Sequence, residues 1–214
     1  IGISSEKIHT LGTPLFDNLK KSDSSPENND YVLFATSGPT KEDSFDLTIK
    51  TIEKNIETIK QISETVVTKY KMKFIVKIHP SPDEFDPTDL LKKISPDIKI
   101  IKTGKISDLI KNCKMLIVVD ESTSIIDAHL LNKPVLSISV KTEEFGIPTI
   151  LKNGSCIKSD LETFDENFSK IINDENIRKE IEKNSNESIK NYISNTPNNS
   201  KALLSFLENY VNEI

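Results

Sequence analysis

Residue types suited to chemistry gather at three places in this chain, each where an apolar run gives way to small, hydroxyl-bearing or titratable residues. Thr36-Ser37-Gly38 follows the run that begins at Tyr31. Its hydroxyls are donors, and a glycine lets a backbone approach a ligand with no side chain in the way. The same residues also suit an ordinary turn from strand to helix. His79-Pro80 follows Lys73–Ile78. An imidazole there donates to a phosphate or moves a proton near neutral pH, or it bonds to a neighbouring loop and does neither. Asp120-Glu121-Ser122-Thr123-Ser124 lies between a strand and a helix, with Asp127 one turn on. The start of a helix presents unpaired N–H groups and the positive end of a dipole. N-capping uses one hydroxyl, whereas three stand in a row here. This stretch is suited to cradling a phosphate, with Asp127 facing the same mouth and accepting from ribose hydroxyls.

Composition narrows how a phosphate could be held. The chain has 214 residues and a net charge of -5, and Arg178 is its only arginine. A bidentate arginine clamp on a phosphate is therefore nearly excluded, which leaves lysines, hydroxyls and backbone N–H groups. The acidic balance provides no field for nucleic acid. Cys113 and Cys156 are far apart and show no metal-ligand spacing. They read as buried thiols of a reduced, cytoplasmic protein, and no metal or resident cofactor is expected. The longest apolar run, Met115–Val119, has the length of a strand, so no transmembrane segment is expected.

The elements that must position these residues follow from periodicity. Residues 23–30 are polar and unpatterned, a linker or loop. After them, apolar runs of strand length (31–37, 73–79, 98–102, 114–119, 134–140 and a short one at 155–158) alternate with segments of helical spacing. The longest such segment, 46–70, carries Leu47, Ile49, Ile52, Ile56, Ile59, Ile62 and Val66. Further helices are expected at 88–94, from a capping Ser107, and at 122–131. The chain then turns wholly helical, through 161–173, 175–192 and 200–212. Strands alternating with helices imply right-handed βαβ units around a parallel sheet. In such sheets ligands bind at the carboxyl ends of the strands, where all three stretches fall. The expected fold class is α/β, a Rossmann-like parallel sheet of about six strands with C-terminal helices. No G-x-G-x-x-G, G-x-x-x-x-G-K-[ST] or G-x-S-x-G pattern occurs, which argues against a dinucleotide dehydrogenase, a P-loop NTPase and an α/β-hydrolase.

Four stretches carry a family resemblance. Lys7–Asp17 contains Gly12, Pro14 and Asp17 in the pattern G-x-P-x-x-D. Lys77-Ile78-His79-Pro80 supplies a His-Pro pair. Ile106–Leu109 leads through Val119 to Asp120, and Asp120–Asp127 is followed by Asn132-Lys133-Pro134-Val135. Together they resemble the C-terminal half of GT-B transferases, nearest the group of CDP-glycerol glycerophosphotransferases and capsule-polysaccharide transferases. The sequence departs from that group in having Glu121-Ser122-Thr123-Ser124 where an aromatic and paired serines are usual. The resemblance implies a crossover segment at 1–22 from a missing N-terminal acceptor domain, then a donor-binding domain at 31–214. It implies a nucleotide-activated sugar or polyol of CDP or UDP type as donor, bound by Thr36, Ser37, Gly38, His79, Asp120, Ser122, Thr123, Ser124 and Asp127. It names no catalytic residue in this half. The activity implied is glycosyl or polyol-phosphate transfer in surface polysaccharide synthesis, in the cytoplasm or at the inner face of the membrane through the missing part. The chain by itself would be inactive. Two alternatives share the architecture. Non-hydrolysing UDP-N-acetylglucosamine 2-epimerases are partly echoed at Gly12–Asp17 and at Thr142-Glu143-Glu144. A non-catalytic donor-binding subunit of a two-chain transferase is the other.

Overall fold

A computed structural model describes residues 2–17, 19, 30–36, 49–81, 85–140, 149–151, 153–194 and 197–212. Six parallel strands form one sheet: β1 (Tyr31–Ala35), β2 (Lys73–Lys77), β3 (Lys99–Ile101), β4 (Cys113–Val119), β5 (Val135–Ile138) and β6 (Ile157–Ser159). Their spatial order is β3-β2-β1-β4-β5-β6. Beginning at β1 the chain builds outward to β3, returns to the centre, and builds the other way through β4, β5 and β6. The order therefore reverses between β1 and β4, the place where open α/β sheets leave a crevice.

Seven helices are described: α1 (Ile49–Glu64), α2 (Thr88–Ile94), α3 (Ile106–Asn112), α4 (Ser124–Leu130), α5 (Phe164–Asn173), α6 (Glu175–Ser188) and α7 (Asn199–Asn212). Alternate strand residues enter two separate cores. Val32, Phe34, Phe74, Val76, Ile117 and Ile138 pack with Ile59 and Ile62 of α1, Leu91 of α2 and Phe164 and Phe168 of α5. Leu33, Ala35, Ile75, Leu116 and Val118 pack with Ile110 of α3 and Ile125 and Ala128 of α4. Burial on both faces explains why these strands are apolar throughout rather than alternating. Each fully buried Phe, Leu or Ile contributes about 1.5–3 kcal/mol by leaving water.

Several expected boundaries shift. The cap expected from Ser107 is not made: α3 starts one residue earlier, Lys105 holds the cap position, and no side chain bonds to the helix start. The helix expected at 122–131 begins at Ser124, because Ser122 and Thr123 form the turn before it. It ends where Asn132 takes a left-handed conformation (φ 54°) and the Lys133 N–H reaches back to Ala128, a helix stop that asparagine tolerates. The long helix widens after Glu64 into a turn in which the Tyr70 N–H bonds to the Thr65 carbonyl, and Lys71 (φ 53°) ends it. The expected start of that helix, 46–48, lies outside the described residues. The second of the late helices passes from Ser188 into a short tight turn at Ile189–Asn191.

The segment read as a crossover is fastened to the end of the chain. Asp17 caps α7, accepting from the Asn199 N–H (2.9 Å), the Asn199 side-chain amide (2.7 Å) and the Ser200 N–H (2.7 Å). Bonds from Ser200 and then Asn199 hold its carboxyl down at about 2. Gly12 has φ +78°, and a Cβ there would lie 1.8 Å from Asn199 Oδ1 and 2.4 Å from the Ser194 carbonyl oxygen. His9 packs on Phe206 of α7 with ring centroids 4.6 Å apart.

Candidate functional site

Register fixes which strand ends meet. Ile101, Lys77, Ala35, Val118, Ser137 and Lys158 lie in one row across the sheet. Thr36 is one residue past that row, and His79 and Asp120 are each two past it. They leave the sheet on the two strands flanking β1, so the fold brings together Thr36, His79 and the Asp120–Ser124 turn at the reversal of strand order.

Thr36 is buried and ties β1 to β2. Its N–H donates to the Lys77 carbonyl at 3.0 Å, and its Oγ1 accepts from the His79 N–H at 3.1 Å. The exposed His79 ring accepts the Ser81 N–H on Nδ1 at 3.3 Å. That bond leaves Nε2 as the ring atom that would donate to an anion. It is also the local loop contact that a purely structural histidine makes.

Three hydrogen bonds hold Asp120 at the start of the turn. Asp120 adopts φ 49°, an uncommon conformation for a residue with a Cβ. Its N–H donates to the Ile138 carbonyl (2.8 Å), its carbonyl accepts the Ser137 hydroxyl (2.8 Å), and its Oδ1 accepts the Val140 N–H (2.8 Å). This carboxylate thus has a structural task, locking β4 to the exit of β5. Beyond it the Ser122 and Ser124 hydroxyls share a hydrogen bond of 2.7 Å, and the Ser124 N–H reaches Ser122 Oγ at 3.4 Å. The Ile125 and Ile126 amides are taken by the Ser122 and Thr123 carbonyls, and the Thr123 side chain makes no cap bond. Ser124 is buried, Ser122 half-buried and Thr123 exposed. The three hydroxyls are therefore not equivalent.

Asp127, half-buried on α4, has no hydrogen-bond partner for its carboxyl among the described residues, and burial pushes its pKa up to about 6. Two residues on, His129 is 1% exposed. Its Nε2 lies 3.1 Å from the Ser155 carbonyl and 3.4 Å from Cys156 Sγ, while Nδ1 is buried without a partner. Burial pushes His129 down to about 4 and the Cys156 thiol up to about 12. His129 is thus a neutral core residue under α4, and both cysteines are free and buried.

Of the residues singled out in the sequence, Ser37 and Gly38 lie outside the described residues, as do Thr142, Glu143 and Glu144. Sequence reading missed Ser137, whose place in the buried run of β5 was a usable signal, because a buried hydroxyl needs a partner. It also missed Lys54 of α1, which reaches the Val140 carbonyl at 2.8 Å. Nothing in sequence marks one exposed helical lysine among many. Elsewhere, an open groove of about 790 Å³ beside the start of β2 is lined by Lys69, Asp165, Glu166 and Lys170. Its lysines are paired with its carboxylates (Lys69–Asp165 2.6 Å, Lys170–Glu166 2.5 Å), and it lies away from the carboxyl ends of the strands. Among the described residues, no cluster of three or more His, Cys, Asp or Glu could hold a metal ion. No described helix is long and apolar enough to cross a membrane.

No model of a known protein family matches the sequence, and no curated protein does. Solved structures match the fold. UDP-GlcNAc 2-epimerase from Neisseria meningitidis, bound to UDP-GlcNAc, aligns with a TM-score of 0.62 at 19% identity, over 97% of this chain and 57% of that one. The C-terminal domain of a group 1 glycosyl transferase from Francisella tularensis aligns with a TM-score of 0.52 at 13% identity, over 81% of this chain and 94% of that one. A glycosyltransferase from Streptomyces nogalater aligns with a TM-score of 0.53 at 12% identity, over 86% and 45%. The chain spans little more than half the length of the epimerases it matches. Its fold is the Rossmann-like α/β fold shared by GT-B glycosyltransferases and UDP-GlcNAc 2-epimerases.

Proposed function

We propose that this chain is the nucleotide-donor-binding half of a GT-B-type transferase, nearest the glycerophosphotransferase and capsule-polysaccharide group, acting with an acceptor-binding domain. The observation that carries the reading is the reversal of strand order between β1 and β4, flanked by Thr36, His79 and the Ser122-Thr123-Ser124 turn. A phosphate there meets hydroxyls and a histidine N–H, which suits a chain whose single arginine is committed elsewhere: Arg178 donates to the carbonyls of Ile171 and Ile172 at the end of α5. In this reading Ser122 and Ser124 turn their shared hydroxyl pair toward the donor pyrophosphate, and Asp127 accepts from the ribose. The residues favour transfer over epimerisation. An open Ser-Gly-Gly loop lets amides crowd a phosphate, whereas Ser122-Thr123-Ser124 contributes side chains.

Titrating CMP, CDP, UMP, UDP and NAD into the chain, followed by amide shift mapping, tests the reading. A pyrimidine nucleotide is expected to shift His79 and Ser122–Ser124 and NAD is not. No shift there with any pyrimidine nucleotide removes the proposal. Incubation of the complete enzyme with UDP-N-acetylglucosamine alone distinguishes the epimerase, which would produce the 2-epimer without an acceptor.

A further inference from the structure

Val140, the last described residue before 149, is buried, and its backbone is held on both sides of its Cα. Its N–H donates to Asp120 Oδ1 at 2.8 Å, and its carbonyl accepts the Lys54 ammonium at 2.8 Å. The two grips come from different walls of the crevice. Asp120 starts the turn that leads into α4, which packs on one face of the sheet, while Lys54 stands in the second turn of α1, which packs on the other. The pair Lys54 and Asp120 thus spans the mouth from α1, past the end of β4, to the exit of β5. Among the described residues Lys54 bonds to no carboxylate. It differs in this from Lys69, Lys102, Lys170 and Lys179, each of which meets an acidic partner.

We infer that Lys54 is a ligand-positioning residue of this site: by holding the Val140 carbonyl it fixes Val140 where its N–H meets the Asp120 carboxylate, and so holds the Asp120–Ser124 turn in its phosphate-receiving shape. The inference rests on the nucleotide-binding reading above. Asp120 sits at φ 49°, a conformation that persists only where surrounding bonds over-determine it. Removing the lysine takes its donor from the Val140 carbonyl and lets Val140 shift relative to Asp120. The Asp120 side chain then loses a fixed partner, and the turn relaxes toward conformations that no longer present Ser122 and Ser124 together. Lys54 touches no ligand in this scheme. Its effect appears in the phosphate part of binding and not in the nucleoside part.

The test compares wild type, Lys54→Met, which keeps the apolar stem, and Lys54→Arg, which restores a cationic donor. UDP and uridine are titrated separately into each by calorimetry. Exchange of the Val140 amide and the melting temperature are measured alongside. The expected result for Lys54→Met is an approximately tenfold weaker UDP affinity, unchanged uridine affinity, faster Val140 exchange and a nearly unchanged melting temperature, with Lys54→Arg recovering most of the loss. UDP affinity equal to wild type in Lys54→Met overturns the inference while leaving the nucleotide reading intact. Equal losses for UDP and uridine, or a loss that Lys54→Arg does not recover, also overturn it. A wild-type chain that binds neither probe overturns the nucleotide reading and the positioning role together, even if Val140 exchange still responds to the mutation.

Discussion

Asp127 and His129 sit two residues apart on α4 and pull stability in opposite directions with pH. Asp127 has its pKa raised by burial from 3.8 to about 6. The fold therefore prefers its protonated form, and the stability it contributes is complete below 3.8 and lost as pH rises through about 6. At about 1.4 kcal/mol per tenfold change in proton affinity, the full effect is about 3 kcal/mol. Because the carboxyl is only half-buried, solvent screening reduces this to about 1–2 kcal/mol. His129 is lowered from 6.5 to about 4, by burial against an opposing bond to the Ser155 carbonyl. The fold prefers its neutral form, so its contribution is complete above 6.5 and lost as pH falls through about 4. With the ring 1% exposed, about 3 kcal/mol is at stake. Between pH 4 and 6.5 the two slopes oppose, so the wild-type profile from these residues is shallow, rising by about 1–2 kcal/mol. Asp127→Asn removes the falling component. The variant should match wild type near pH 4 and be more stable by about 1–2 kcal/mol at pH 7. Its own rise from pH 4 to 6.5 should approach the full His129 value. Urea denaturation at half-unit pH intervals, with both proteins in the same buffers, measures this directly. A stability difference between the two that stays constant from pH 4 to 7 would refute the reasoning, because it would mean that Asp127 ionises as easily folded as unfolded.

Two further substitutions probe the frame that holds the site. Gly12→Ala places a Cβ within 1.8 Å of Asn199 Oδ1 in a left-handed backbone and should cost about 2 kcal/mol or more, with faster amide exchange in the first turn of α7. Wild-type melting behaviour would show that the N-terminal segment is not fastened there. Phe168→Ala opens a cavity beside Phe164 and Tyr70, whose rings lie 5.7 and 4.8 Å away. It should cost about 3–5 kcal/mol in chemical denaturation without changing which nucleotides shift the His79 region.

The parallel sheet was legible in the sequence because burial on both faces leaves little choice of residue. A run such as Val32–Ala35 or Met115–Val119 has no polar side to present to water, so its length and apolarity alone mark it as an interior strand. Glycine and proline punctuation placed the strand ends at Thr36 and His79, and the change from apolar to polar residues after Val119 placed Asp120. The helix starts were less legible. Ser107 and Ser122 have the right chemistry for caps, yet a capping hydroxyl looks the same in sequence whether it bonds to the helix, to a neighbouring hydroxyl or to water.

What sequence alone determines here is therefore local: which segments are strands, which are helices, and which chemical groups stand at their ends. Tertiary structure alone decided the rest, because the deciding bonds join residues far apart in the chain. Lys54 and Val140 are 86 positions apart, and Asp17 and Asn199 are 182 apart. No periodicity encodes such pairs. The return of the chain to the sheet centre between β3 and β4 sets His79 and Asp120 on either side of Thr36. The order of strands, settled by how two apolar faces can both be covered, made one crevice out of three separate turns.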